Sequence, residues 1–304
     1  LLRWKAPLRD THLPREPMGS AFSAGLRYVA MSPNLMRVIL RGFWFGLSAI
    51  ALLALLPVVV RETLQATAFV YGIMLGCFGM GAVFGALTNA ALRARFRNEI
   101  IARGGFVGFA LSCAVLAVST HPALSGGALM LAGACWVLSL SMFNVTIQLS
   151  TPRWVVGRVI ALYQTGTFGG MAAGSLIWGI VADRGGPEVA LVGASVMLLI
   201  GALIGLPLPL PEFSGLNLDP LNRFKEPDTR FDLSYRSGPV MVMVDYEIAQ
   251  SDVPEFLAAM SLRRRVRIRD GAQQWALLRD LHRPEHWSES YHVPTWAEYV
   301  RHNE

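Results

Sequence analysis

Thr151 to Gly166, TPRWVVGRVIALYQTG, sets a proline, a glycine and two arginines, Arg153 and Arg158, between two long apolar runs. Such an interruption reads as a turn at a membrane surface. Pro152 closes one helix, Gly157 and Arg158 open the next at the headgroups, and the arginines mark the side on which the turn lies. Outward from this elbow the chain is apolar for most of its first two hundred residues.

The composition supports that reading. Hydrophobic residues make up 53% of the 304 and charged residues 16%, against about a quarter charged in a soluble domain. Between Leu35 and Pro211 the only acids are Glu62, Glu99, Asp183 and Glu188, while fifteen of the twenty-one follow from Glu212 onward. The chain therefore divides into a membrane part and a polar tail. We expect a cytoplasmic segment over 1–34, transmembrane helices over 35–210, a linker over 211–237 and a small cytoplasmic domain over 238–304. Cys77, Cys113 and Cys135 lie inside apolar runs without metal or disulfide spacing, and no cofactor is expected.

Six stretches approach the roughly 20 apolar residues that a bilayer core about 30 Å thick requires: Val38 to Val60, Ala66 to Leu92, Ile100 to Thr120, Ala123 to Leu149, Val159 to Ala182 and Val189 to Leu206. Arg41, one turn into the first, is expected to snorkel to the headgroups, and Pro57 to sit in that helix's last turn. The flanks before span one, between two and three, and between four and five hold Arg and Lys in clusters; the opposite side has only Arg61 and Arg184. Positive charge stays inside, so the amino end, the basic loops and the tail are all expected in the cytoplasm.

Spans two and five carry glycine stripes, Gly72, Gly76 and Gly79 with Gly81 and Gly85 in one, and Gly166, Gly170 and Gly174 in the other. Such stripes serve static packing or a rocking contact. The span ends are also alike: GALTNAALR begins at Gly85 and GIVADRGG at Gly179, so Gly85 and Asn89 align with Gly179 and Asp183. Three spans followed by three related spans of reversed direction is the pattern of secondary transporters.

GIVADRGG fits the G-x-x-x-D-R-x-G pattern of the major facilitator superfamily, and PRWVVGRVIAL resembles the P-x-x-x-x-G-R-V-x-A-L run between that family's tenth and eleventh helices. The chain resembles the carboxyl half, helices seven to twelve, of its enterobactin-exporter-like or transmembrane secretion effector branch. The resemblance implies a six-helix half of a twelve-helix fold, an amino-terminal half of six more helices outside this sequence, and export of a siderophore- or drug-like small molecule. It gives gating or motif roles to Gly85, Asn89, Arg93, Arg158, Gly179, Asp183 and Arg184. Asn89 stands where the pattern has Asp and Leu92 where it has Gly, which weakens a charge-based latch there; Arg93 is kept. The chain opens LLRWKAPLRD without an initiator Met or signal pattern, as expected of a fragment.

Polar residues within spans are costly and so are candidates for substrate contact. Asn144 and Gln148 share a face of span four, and Gln164 lies just inside span five; each either lines a cavity or hydrogen-bonds a neighbouring helix. No Asp, Glu or His falls in the middle of a span, which places any proton-coupling group in the other half.

In the tail, PVMVMVDYEI alternates as a strand with Val240, Val242, Val244, Tyr246 and Ile248 on one face. Asp252 and Glu255 read as a capping box for a helix, AQQWALLRD and ESYHV as strands, and Thr295 with Glu298 as the start of another helix. This βαββα order is that of a ferredoxin-like domain without its last strand, and it resembles the antibiotic-biosynthesis-monooxygenase-like domain of the same transporter branch. Trp275, His282, His286, Trp287 and His292 match no catalytic or metal spacing. The run RRRVRIRD, Arg263 to Asp270, is either a solvated helix face or a lipid-attracting patch. Twelve basic against fifteen acidic residues in the tail argue against nucleic acid. Three classes of function stand against one another: an exporter, a membrane-anchored oxygenase, and a non-transporting scaffold that dimerises through its tail. The spans and the repeat favour the exporter over an enzyme.

Overall fold

The computed structural model describes residues 18–152, 155–211 and 234–303. Arg153 of the elbow and most of the linker lie outside them. The chain divides into two units, one over Ser32–Asn217 and one combining the segment up to Met31 with the tail from Leu218.

The membrane unit contains α2 (Pro33–Val58), α3 (Ala68–Arg95), α4 (Asn98–Val118), α5 (Pro122–Ser150) and α6 (Val156–Ile204). With α2 continued by a π-helical turn to Thr63, these five are the helices among the described residues long and apolar enough to cross a membrane. Pro57 lies in the last turn of α2, as expected, and the wider turn follows it.

The expected fifth and sixth spans are one helical stretch of 49 residues, broken at Gly186, where φ is +88° and ψ is 160°, and followed by Pro187. Unbroken, it would measure about 73 Å. Instead it folds back: a Cβ at Gly193 would lie 2.9 Å from the Trp178 ring, whereas 15 residues of straight helix separate such positions by about 22 Å. Arms 156–185 and 187–204 therefore run antiparallel. Only glycine adopts this φ readily, and proline then starts the second arm with its φ already set.

Backbones approach closely at small residues. A Cβ on Gly81 or Gly85 of α3 would strike the Met130 or Ala134 carbonyl oxygen of α5, and one on Gly133 of α5 would strike that of Phe78. The same three contacts recur between α6 and α2, with Gly170 against Phe43, Gly174 against Leu47 and Gly46 against Thr167. Phe43, Gly46 and Leu47 thus map onto Met130, Gly133 and Ala134 at one constant offset. Phe78, Gly81 and Gly85 map onto Thr167, Gly170 and Gly174 at another. The internal repeat is present, but its packing register differs from the motif register: Gly85 corresponds to Gly174 rather than Gly179, and Asn89 to Trp178 rather than Asp183. The stripe in α3 also divides, since Gly72, Gly76 and Gly79 face open space. Between the helices, Phe45 anchors an aromatic core with ring centroids 5.1 Å from Phe106, 5.7 Å from Phe109 and 6.0 Å from Trp136.

The second unit holds α1 (Met18–Ala30), β1 (Val240–Glu247), α7 (Val253–Arg269), β2 (Gln273–Arg279), β3 (His286–Val293) and α8 (Trp296–Asn303). The sheet order is β1-β3-β2, with both outer strands antiparallel to β3. β1 and β2 are therefore parallel, joined by α7 across the sheet. β1 alternates as the sequence predicts, its even-numbered residues turned toward α7, where Phe256 packs 5.4 Å from Tyr246 and 5.6 Å from Trp287. Glu298 N–H donates to Thr295 Oγ1 at 3.3 Å, the expected cap. The Asp252–Glu255 box is not formed, because Asp252 accepts from Ser251 Oγ at 2.7 Å instead. α1 packs against this unit: Tyr28 is buried with the Arg269 guanidinium 4.7 Å over its ring.

Candidate functional site

The polar side chains of the membrane helices collect along α5. Gln148 Nε2 donates to Asn144 Oδ1 at 2.5 Å, on a face that leaves Gln148 exposed and Asn144 half-buried. One turn earlier, the Leu140 carbonyl accepts from the hydroxyl of buried Tyr163, on α6, at 3.5 Å. Gln164, next to Tyr163, is exposed. Asn89 Nδ2 donates to Ser141 Oγ at 2.7 Å, tying α3 to α5 one turn from Asn144. The amide at position 89 therefore works as a helix-to-helix bond, a role that needs no charge. Asn89, Asn144 and Gln148 gather on or against α5, with Gln164 on the neighbouring helix.

The other motif residues do not join them. Asp183 and Arg184 are exposed near the end of the first arm of α6, just before Gly186, and form no ion pair among the described residues. Gly179 faces open space. Arg93 and Arg158 are half-buried at the end of α3 and the start of α6.

Arg41 does not snorkel. It is 5% exposed, its Nη1 donates to Glu99 Oε2 at 2.6 Å, and its guanidinium carbon lies 5.8 Å from the Phe106 ring centroid. The same Glu99 oxygen accepts the Leu210 N–H at 2.8 Å. Arg41 Nε and Nη2 and Glu99 Oε1 are buried without a hydrogen bond. The start of α2, the start of α4 and the residues after α6 thus meet on one face. The sequence holds a base and an acid near the starts of two helices that begin on the same side, in a region with four acids, but nothing in it pairs them.

The tail has a second buried carboxylate. Glu289 on β3 is fully buried; Oε2 accepts from Tyr246 at 2.8 Å and Arg263 Nε at 2.9 Å, and Oε1 from Trp275 Nε1 at 2.8 Å. Arg267 stands 3.7 Å away and 4.8 Å from the Tyr291 ring centroid. Burial alone would raise the Glu289 carboxyl, but the bonds from Trp275, Tyr246 and Arg263 outweigh it and hold the group below the usual carboxylate range. The Tyr246 hydroxyl is pushed up to about 12 by burial and by Glu289. RRRVRIRD is thus neither a wholly solvated face nor a continuous lipid patch, since Arg263, Arg267 and Arg269 bind protein groups. Of the tail Trp and His residues, Trp275 serves Glu289, while Trp287 Nε1 and His292 Nδ1 are buried without a partner. No cluster of His, Cys, Asp or Glu among the described residues could hold a metal.

Long apolar helices, paired through small residues in a repeated pattern with polar groups along one of them, are those of a multi-pass membrane protein, and a family match makes it a transporter of the major facilitator superfamily. The sequence profile of the transmembrane secretion effector family matches residues 1–304, and the chain belongs to that family. No curated protein matches the chain.

Proposed function

We propose that the chain forms helices seven to twelve of a plasma-membrane exporter that moves a siderophore- or drug-like small molecule by alternating access, together with six further helices. The observation that carries this reading is the bond from Leu210 N–H to Glu99. α4 leaves the Arg41–Glu99 face and α5 returns to it, so the end of α6 reaches the same face only if α6 crosses twice. The fold-back at Gly186 supplies those two crossings, giving six with both ends on one side. The arginines of the loops make that side cytoplasmic.

In this reading Asn144, Gln148 and Gln164 line the substrate path, as polar side chains that are exposed or, for Asn144, half-buried in this half and set on helices packed through glycine. The open face of Gly72, Gly76 and Gly79 meets the other half, with Asn89, Arg93, Asp183, Arg184 and Arg158 at the helix ends that move. Domain boundaries at 34, 210 and 237 follow from the same assignment. The tail is a ferredoxin-like domain of the monooxygenase-like type, and it pairs two transporters through its open sheet face, where Met241 and Met243 are exposed. Full-length protein in inverted vesicles is expected to accumulate substrate, and Asn144→Leu with Gln148→Leu to lower that accumulation at least tenfold with unchanged expression. Equal accumulation by the double variant would remove the path from α5.

A further inference from the structure

The five arginines of α7 form two sets. Arg263 and Arg267 turn to Glu289, and Arg269 to Asp270 and Tyr28. Arg264 and Arg265 have no carboxylate partner among the described residues. They stand at a cavity of about 430 Å³ in the tail unit, walled by α7, β2 and Met31 at the end of α1. Its apolar lining is Met260, Ile268, Trp275 and Leu277, with Leu257 and Ser261 along α7. The Arg264 guanidinium lies 5.8 Å from the Trp275 ring centroid.

An apolar cavity of this size with a few charged groups is the usual form of a small-molecule site. No acid among the described residues lines it, so its charge selects an anion. Guanidinium forks match the geometry of a carboxylate, and a tryptophan beside leucine offers a flat apolar surface. We propose that this cavity binds a small aromatic carboxylate, its anion held by Arg264 and Arg265 and its ring covered by Trp275 and Leu277.

The test is equilibrium dialysis of 2-naphthoate against the full chain in phosphatidylcholine nanodiscs, with empty discs subtracted and 2-naphthamide as the neutral counterpart. Naphthoate is expected to saturate one site and to bind at least tenfold more tightly than the amide. Arg264→Gln with Arg265→Gln should weaken naphthoate at least tenfold and leave the amide within twofold. Ser261→Trp, which fills the cavity, should abolish both. Equal binding of acid and amide by the unaltered chain overturns the proposal whether or not the variants fold, and so does unchanged binding in Ser261→Trp. Loss of naphthoate binding when phosphatidylglycerol replaces phosphatidylcholine also overturns it, by giving the arginines to lipid headgroups.

Discussion

Glu99 and Glu289 are both carboxylates withdrawn from water, yet their surroundings differ. Glu289 uses both oxygens, accepting from a phenol, an indole and a guanidinium. Glu99 uses one oxygen, for Arg41 and Leu210, and leaves the other unbonded beside two unbonded guanidinium nitrogens. A buried charge holds a structure firmly when every lone pair and proton around it is matched, and only loosely otherwise. The tail is therefore fully matched at its carboxylate, while the membrane unit joins α2, α4 and the residues after α6 by a contact matched only in part.

The largest effect expected from this comparison follows Glu289→Ala, which leaves three donors unpaired under the sheet. A loss of about 3 to 5 kcal/mol would appear in chemical denaturation as early melting of the tail. Pairing it with Arg263→Met should not rescue, because Tyr246 and Trp275 remain unmatched. Next, Glu99→Gln or Arg41→Met alone should cost about 3 kcal/mol. The double variant Arg41→Met with Glu99→Met should return to within about 1 kcal/mol of the original, read from the detergent melting temperature. A double variant no better than either single one would show Glu99 to be as firmly matched as Glu289.

Acid sharpens the contrast further. The Glu289 carboxyl lies below its ordinary value in the folded tail, so its contribution is complete above about pH 4.3, the unfolded value. It is lost as pH falls through the lowered value. Near-UV circular dichroism of the tail should decline at that acid edge, and Glu289→Gln should flatten the decline. The smallest effect concerns the divided stripe. Gly76→Ala should leave the stability of this unit unchanged, since nothing lies within 4 Å of the new methyl, whereas Gly81→Ala should lower it by at least about 1 kcal/mol by overpacking against Met130.

Much of this architecture was legible in the sequence. Hydrophobic runs, arginine clusters and proline placed the helices and the elbow at Pro152, where α5 ends at Ser150 and α6 begins at Val156. Alternation gave β1, and the βαββα order held. The register of the repeat was not legible from GALTNAALR and GIVADRGG, because a motif at a helix end marks a loop while the packing register is set by backbone contact at Gly81, Gly85, Gly170 and Gly174. The partners of Arg41 and Glu289 were hidden for a different reason: each lies far away in sequence, and only the fold brings them within reach. Asn144 and Gln148 were readable as a pair because they are one turn apart on a single helix.

The central claim is that α6 crosses the membrane twice, turning at Gly186 on the face opposite Glu99. Single cysteines at positions 97 and 188, in a full-length chain with Cys77, Cys113 and Cys135 replaced by Ala, can be probed with a membrane-impermeant maleimide. Glu188→Cys should label in intact cells, and Arg97→Cys only after the membrane is opened. A cysteine at 188 that resists labelling in both states, or that labels only together with position 97, would contradict the two crossings.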